Sequence, residues 1–105
     1  MRSHLRVSVS TPVTYQVGKE EGEGTAWNLS RSGCRFSGNL PLREGTFFSF
    51  TLSLSTSEWV YVAAACVCWS GGTDHGVNIV VIDEESAETL AAFIDREAAG
   101  CQESR

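Results

Sequence analysis

Residues 25–36 read Thr25-Ala26-Trp27-Asn28-Leu29-Ser30-Arg31-Ser32-Gly33-Cys34-Arg35-Phe36, and this stretch decides the fold. Polar and apolar side chains alternate up to Ser30 and again after Gly33, which is the period of a half-buried strand. With Trp27 and Leu29 pointing into a core, Asn28 and Ser30 fall together on the outer face. Gly33, three residues after the serine, permits a positive-φ turn or a close backbone approach by a ligand. The reading is a strand over 25–30, a tight turn, and a second strand over 33–37 with Cys34 and Phe36 inward and Arg35 outward. Asn28 and Ser30 then form a small polar platform that needs a partner.

Upstream, Leu5, Val7, Val9, Val13, Tyr15 and Val17 alternate with Ser8, Ser10, Thr14 and Gln16, so residues 5–17 are predicted to form another half-buried strand. Pro12 has no N–H for a ladder and marks an edge, a bulge or a bend. Gly18 to Gly24, rich in glutamate and glycine, is expected to be a solvated hairpin loop. Downstream, a turn-rich connection over 38–45 contains Pro41. Residues 46–54 present Phe48, Phe50, Leu52 and Leu54 on one face, and Ser55-Thr56-Ser57 turns the chain. Residues 59–69 are apolar almost throughout, as expected in a closed or doubly covered sheet. Gly71-Gly72 signals a hairpin, and 75–82 returns as the sixth strand. The two histidines, His4 and His75, read as turn or surface residues.

The period then changes. Asp83 is placed to cap a helix over 84–98, with Glu84, Glu85 and Glu88 at its positive end and Ala87, Leu90, Ala91, Phe93 and Ile94 in one stripe. Gly100 is expected to end the helix, leaving 100–105 as a tail. Six short strands followed by one helix imply a mainly β domain, a six-stranded antiparallel barrel with one C-terminal helix, covering residues 1–105.

The composition narrows the functions. The 105 residues carry a net charge of −5, against a general DNA, RNA or acidic-membrane binder. The charge is uneven: residues 1–43 hold six basic side chains against three acidic, the remainder two against ten. A small anionic ligand near the opening motif is compatible with that, since charges are screened over ~8 Å at physiological salt. No apolar run reaches the roughly 20 residues of a membrane helix, and nothing at the N-terminus has the apolar block of a signal peptide, so a cytoplasmic location is expected. Cys34, Cys66, Cys68 and Cys101 lack the paired spacing of a metal knuckle and read as reduced, buried structural thiols. Asp74, His75 and Ser30 do not assemble a nucleophile–base arrangement, so catalysis is not expected.

Arg2-Ser3-His4-Leu5-Arg6 is a second feature, whose spacing alone is equally that of solvated terminal arginines. Two planar, permanently charged forks four residues apart suit phosphate oxygens and the O6/N7 edge of guanine. Arg2-x-x-x-Arg6 followed by Asn28-x-Ser30-x-x-Gly33 resembles the two-part signature of PilZ domains, receptors for the bacterial second messenger cyclic di-GMP. The strand ending Cys68-Trp69, the Gly76-Val77-x-Ile79 strand and the closing helix are similar to the family's later half.

The resemblance implies a barrel over 7–82 and a mobile arm over 1–6 whose Arg2 and Arg6 fold over the nucleotide. It implies a floor of Asn28, Ser30 and the backbone near Gly33, with Arg31 and Arg35 as auxiliary contacts. The expected function is a receptor that binds cyclic di-GMP, with no further cofactor or metal, and passes the signal by conformational change to a downstream effector protein. The alternative is a PilZ-like adaptor that no longer binds the nucleotide and works through protein contacts alone.

Overall fold

Strand alternation and glycine-led turns produce a closed sheet. The computed structural model describes residues 5–103, with side chains through residue 99. Its elements are β1 (Val7–Val17), β2 (Glu20–Ser30), β3 (Gly33–Gly38), β4 (Phe47–Ser53), β5 (Trp59–Gly71), β6 (Asp74–Ile82) and α1 (Glu84–Glu103). The strands close into an antiparallel barrel in the order β1-β2-β3-β6-β5-β4. Closure leaves no open sheet edge and buries one face of every strand.

The inward faces meet in one core. Tyr15, Phe36, Phe50, Leu52, Val60 and Val62 are all almost fully buried. Tyr15 and Phe36 pack edge to face with centroids 5.0 Å apart, a favoured arrangement of aromatic quadrupoles. Tyr15 Oη also donates to the Leu40 carbonyl at 2.6 Å and accepts from the Leu40 amide at 2.8 Å, tying the β3–β4 connection to the barrel. Leu5 lies just before β1 and is 54% exposed, so it does not join the inward set expected of it.

The glutamate- and glycine-rich segment after Gly18 is strand, where the composition implied loop. Only Gly18-Lys19 turns, with Gly18 at φ 60°, as the first position of a two-residue hairpin turn of type I′ or II′ demands. The ladder continues through Gln16↔Glu21 and Tyr15↔Gly22. A Cβ on Gly22 or Gly38 would meet the Tyr15 ring, so these glycines are space for an aromatic side chain. Pro12 is preceded by a bulge: β1 advances three residues from Ser8 to Thr11 while β2 advances two.

Helix α1 closes the barrel against β5, β1 and β2, burying Leu90, Phe93 and Ile94. Asp83 caps it, its Oδ1 accepting the Ser86 amide at 2.7 Å. The helix continues through Gly100 to Glu103 where a stop was expected. A glycine inside a helix costs about 1 kcal/mol and does not by itself break it.

Candidate functional site

Two more bulges build the site. Between Ala26 and Asn28 the β2 strand takes two steps while β3 takes one, from Phe36 to Arg35. The extra residue is Trp27. It turns outward instead of into the core and donates its indole N–H to Ser37 Oγ at 2.8 Å. Between Val67 and Trp69 the β5 strand likewise gains Cys68 against β6. Each bulge shifts the inside–outside alternation by one residue.

The result is one row across the outer face of four adjacent strands, with direct pairings Asn28↔Arg35, Arg35↔Gly76 and Gly76↔Trp69. A cavity of about 300 Å³ lies over this row, its lining including Arg6, Asn28, Arg35, Trp69 and Gly76. That is the lower end of the ligand-pocket range, room for a planar ring with polar and cationic groups at its rim.

Each side chain has a fixed setting. Arg6 reaches the row from just before β1 and donates from Nη1 to Asn28 Oδ1 at 2.6 Å, joining positions 22 residues apart. Arg35 is steadied by Asp74, Nη1 to Oδ2 at 3.4 Å. A Cβ at Gly76 would run into the Trp69 indole, so the ring lies over the bare backbone there while Trp69 remains 43% exposed. Cys34 lines the cavity from below, buried, and burial pushes its thiol pKa up to about 12 despite the opposing field of Arg6.

The other motif residues serve elsewhere. Ser30 does not share the outer platform with Asn28: it is 1% exposed. Its Oγ accepts the Ser32 amide at 3.2 Å and is within 3.3 Å of the Gly33 carbonyl, to which it can donate. It thus organises the turn that presents Asn28. At Gly33 the close approach is made by β6, because a Cβ there would strike the Val77 carbonyl. Arg31 does not line the cavity and lies 3.9 Å from Asp95 on α1. Arg2 is outside the described residues.

Trp69 was not among the predicted site residues. Its cue was Cys68-Trp69 at the end of an apolar strand followed seven residues later by Gly76, an aromatic opposite a glycine across a hairpin. His75, expected at the surface, is fully buried. Its Nδ1 is 2.8 Å from Ser70 Oγ, and Ser70 Oγ donates to the Leu42 carbonyl at 2.7 Å. Ser70 therefore accepts from His75, so the pair is no nucleophile and base. Among the described residues no group of three or more histidine, cysteine or carboxylate side chains is disposed to hold a metal ion. No helix there is long and apolar enough to cross a membrane.

A six-stranded barrel closed by a C-terminal helix, with an arginine from before β1 bonded to Asn28 of β2, defines the class of fold and the candidate site together. The PilZ domain profile matches residues 1–96, and the chain belongs to the PilZ domain family. No curated protein sequence matches it.

Among solved structures, it is similar to the Bacillus subtilis inhibitor of motility MotI/DgrA, with a TM-score of 0.80 at 15% identity over 95% of this chain. The match covers 52% of MotI, so this chain spans about half that protein's length. It is similar to the PilZ domain of Escherichia coli YcgR, solved with c-di-GMP, with a TM-score of 0.77 at 12% identity, covering 98% of this chain and 95% of that one. The PilZ domain of CeSA from a cellulose-synthesizing bacterium gives 0.68 at 16% identity, covering 86% and 94%. At these identities the likeness is one of fold.

Proposed function

We propose that this domain is a cyclic di-GMP receptor whose ligand binds over the Asn28–Arg35–Gly76–Trp69 row. The observation that carries the reading is the Arg6–Asn28 hydrogen bond, which brings the arginine motif and the β2 motif to one place. A dianionic ligand with two guanines needs cationic forks and a flat floor. Arg6 and Arg35 supply forks, Asn28 a paired donor and acceptor, and Trp69 an aromatic surface. Arg2 belongs to the same arm in this reading.

In this reading binding is coupled to closure of the arm over the nucleotide, at roughly 1–2 kcal/mol for each residue that closure fixes. Charge-assisted bonds of about 1.5–3 kcal/mol each offset it. The closed arm is then a surface that differs between free and bound states, which is what a downstream protein reads.

Isothermal titration of the protein at tens of micromolar with cyclic di-GMP tests this. Saturable heat is the expected result. Absence of heat, with circular dichroism showing the barrel intact, transfers the function to a nucleotide-independent adaptor.

A further inference from the structure

Beyond the β5 bulge only three residue pairs remain before the hairpin turn: Trp69↔Gly76, Ser70↔His75 and Gly71↔Asp74. So short a ladder has little of its own to select its register. A pairing without the bulge would set Cys68 opposite Gly76 and Trp69 opposite His75. That one-residue slip would turn Trp69 into the barrel and Ser70 out of it. The aromatic wall of the cavity therefore depends on whatever forbids the slip.

The side chains next to the Trp69–Gly76 pair do so. His75 Nδ1–H donates to Ser70 Oγ at 2.8 Å, and the Ser70 hydroxyl donates onward to the Leu42 carbonyl at 2.7 Å. The chain links β6, β5 and the β3–β4 connection, and it forms only when Ser70 faces inward. The slip would strand His75 Nδ1–H in the core, where an unmade hydrogen bond is costly.

His75 is also an unexpected choice for packing alone. Its Nε2 is buried with no hydrogen-bond partner, and its ring lies 5.4 Å from that of Phe36. A phenylalanine would occupy similar volume without an orphaned nitrogen. What histidine adds is the Nδ1–H. Arg35 and Asp74 brace the same segment from outside, through their ion pair and the Arg35↔Gly76 pairing.

We infer that His75 and Ser70 are positioning residues of the nucleotide site: their inward hydrogen bond fixes the register that lays the Trp69 indole on Gly76 beneath the ligand. The site assignment rests on the proposed function, whereas the register claim does not. His75→Phe keeps the ring volume and deletes the donor. His75→Asn restores a donor near the Nδ1 position. Ser70→Ala removes the acceptor and carries the test should His75→Phe fail to fold.

In ligand-free protein, NMR reads the ring-current shift of the Gly76 Hα protons and their contacts with the indole. The inference expects both to be lost in His75→Phe and Ser70→Ala with core methyl signals preserved, and both to be retained in His75→Asn. In parallel, cyclic di-GMP affinity should fall about tenfold in the first two variants, the equivalent of one lost base–aromatic stack, and recover in the third. A Gly76 signature unchanged in folded His75→Phe and Ser70→Ala overturns the inference. Wild-type protein that shows the signature yet binds no cyclic di-GMP overturns the nucleotide reading and leaves the register claim standing.

Discussion

Arg6 Nη1 lies 2.6 Å from Asn28 Oδ1, so the arginine from the arm and the asparagine of the β2 motif are bonded to each other at the rim of the cavity. A ligand that uses the Arg6 fork must also satisfy Asn28, which gives the arm and the barrel a shared response. Arg6→Ala should weaken cyclic di-GMP binding by at least ~1.5 kcal/mol, one charge-assisted contact. Its melting temperature should hardly move, because an exposed hydrogen bond contributes little to stability. Calorimetry and a thermal melt on the same preparation check both halves, and wild-type affinity in the variant removes Arg6 from the site. Lys19→Ala, in the remote hairpin turn, serves as the unaffected control.

Ser30 should behave as a turn residue with an indirect effect on binding. Ser30→Ala deletes the acceptor of the Ser32 amide and is expected to cost about 1 kcal/mol of unfolding free energy. A bulky replacement such as Ser30→Leu must displace packed neighbours, since the side chain is 1% exposed, and should lose stability and binding together. Urea titration separates this from a contact role, in which affinity would fall while stability stayed constant.

Gly33→Ala places a methyl group against the Val77 carbonyl, a backbone atom with no freedom to move aside. A loss of about 1–3 kcal/mol is expected from urea unfolding, with the β3–β6 ladder losing amide-exchange protection first. Unchanged protection at Val77 and Asn78 would contradict the close approach.

The thiols should differ sharply. Cys68 is exposed, whereas Cys34 is buried and its pKa is pushed up to about 12, leaving almost no thiolate at neutral pH. Brief maleimide treatment followed by peptide mass spectrometry should find Cys68 modified and Cys34 untouched until denaturant is added. Early labelling of Cys34 would mean that the cavity floor opens. Bound cyclic di-GMP should slow labelling of Cys68, which lines the same cavity.

His75 makes stability sensitive to acid. Burial lowers its pKa below the ordinary value of 6.5, with Asp74 opposing the shift. The folded protein therefore holds the neutral ring where the unfolded chain is already taking up a proton. Its contribution is complete above about pH 6.5 and is lost as pH falls toward the depressed folded value. Melting temperatures of the wild type and His75→Phe across pH 7 to 5 check this: the wild type should lose more stability on acidification than the variant does.

Much of the architecture was legible as period. Alternation around Tyr15, Leu29, Phe36 and Phe50 marked the strands, and the change of period after Asp83, with its cap, marked α1. Composition misled at Gly22, where a glycine that makes room for Tyr15 resembled a loop glycine. It misled again at Gly100, where a helix tolerates a residue that often ends one. Arg6 and Asn28, one from each motif, meet at a single cavity on the barrel, but the roles of the other motif residues did not follow from spacing. Asn28 faces the cavity, Ser30 shapes a turn, Gly33 admits β6, and Arg31 turns toward α1.

The sequence by itself determined the strands, the capped helix and the pair of motifs, because side-chain period and turn chemistry are local properties of the chain. Only the tertiary structure decided which outward residues share the site. Asn28, Arg35, Gly76 and Trp69 are aligned by bulges at Trp27 and Cys68. A bulge is a mismatch between two strands, settled by what each packs against, such as His75 against Ser70 and Gly76 beneath Trp69. One inserted residue reverses every facing beyond it, and neither strand read alone contains that information.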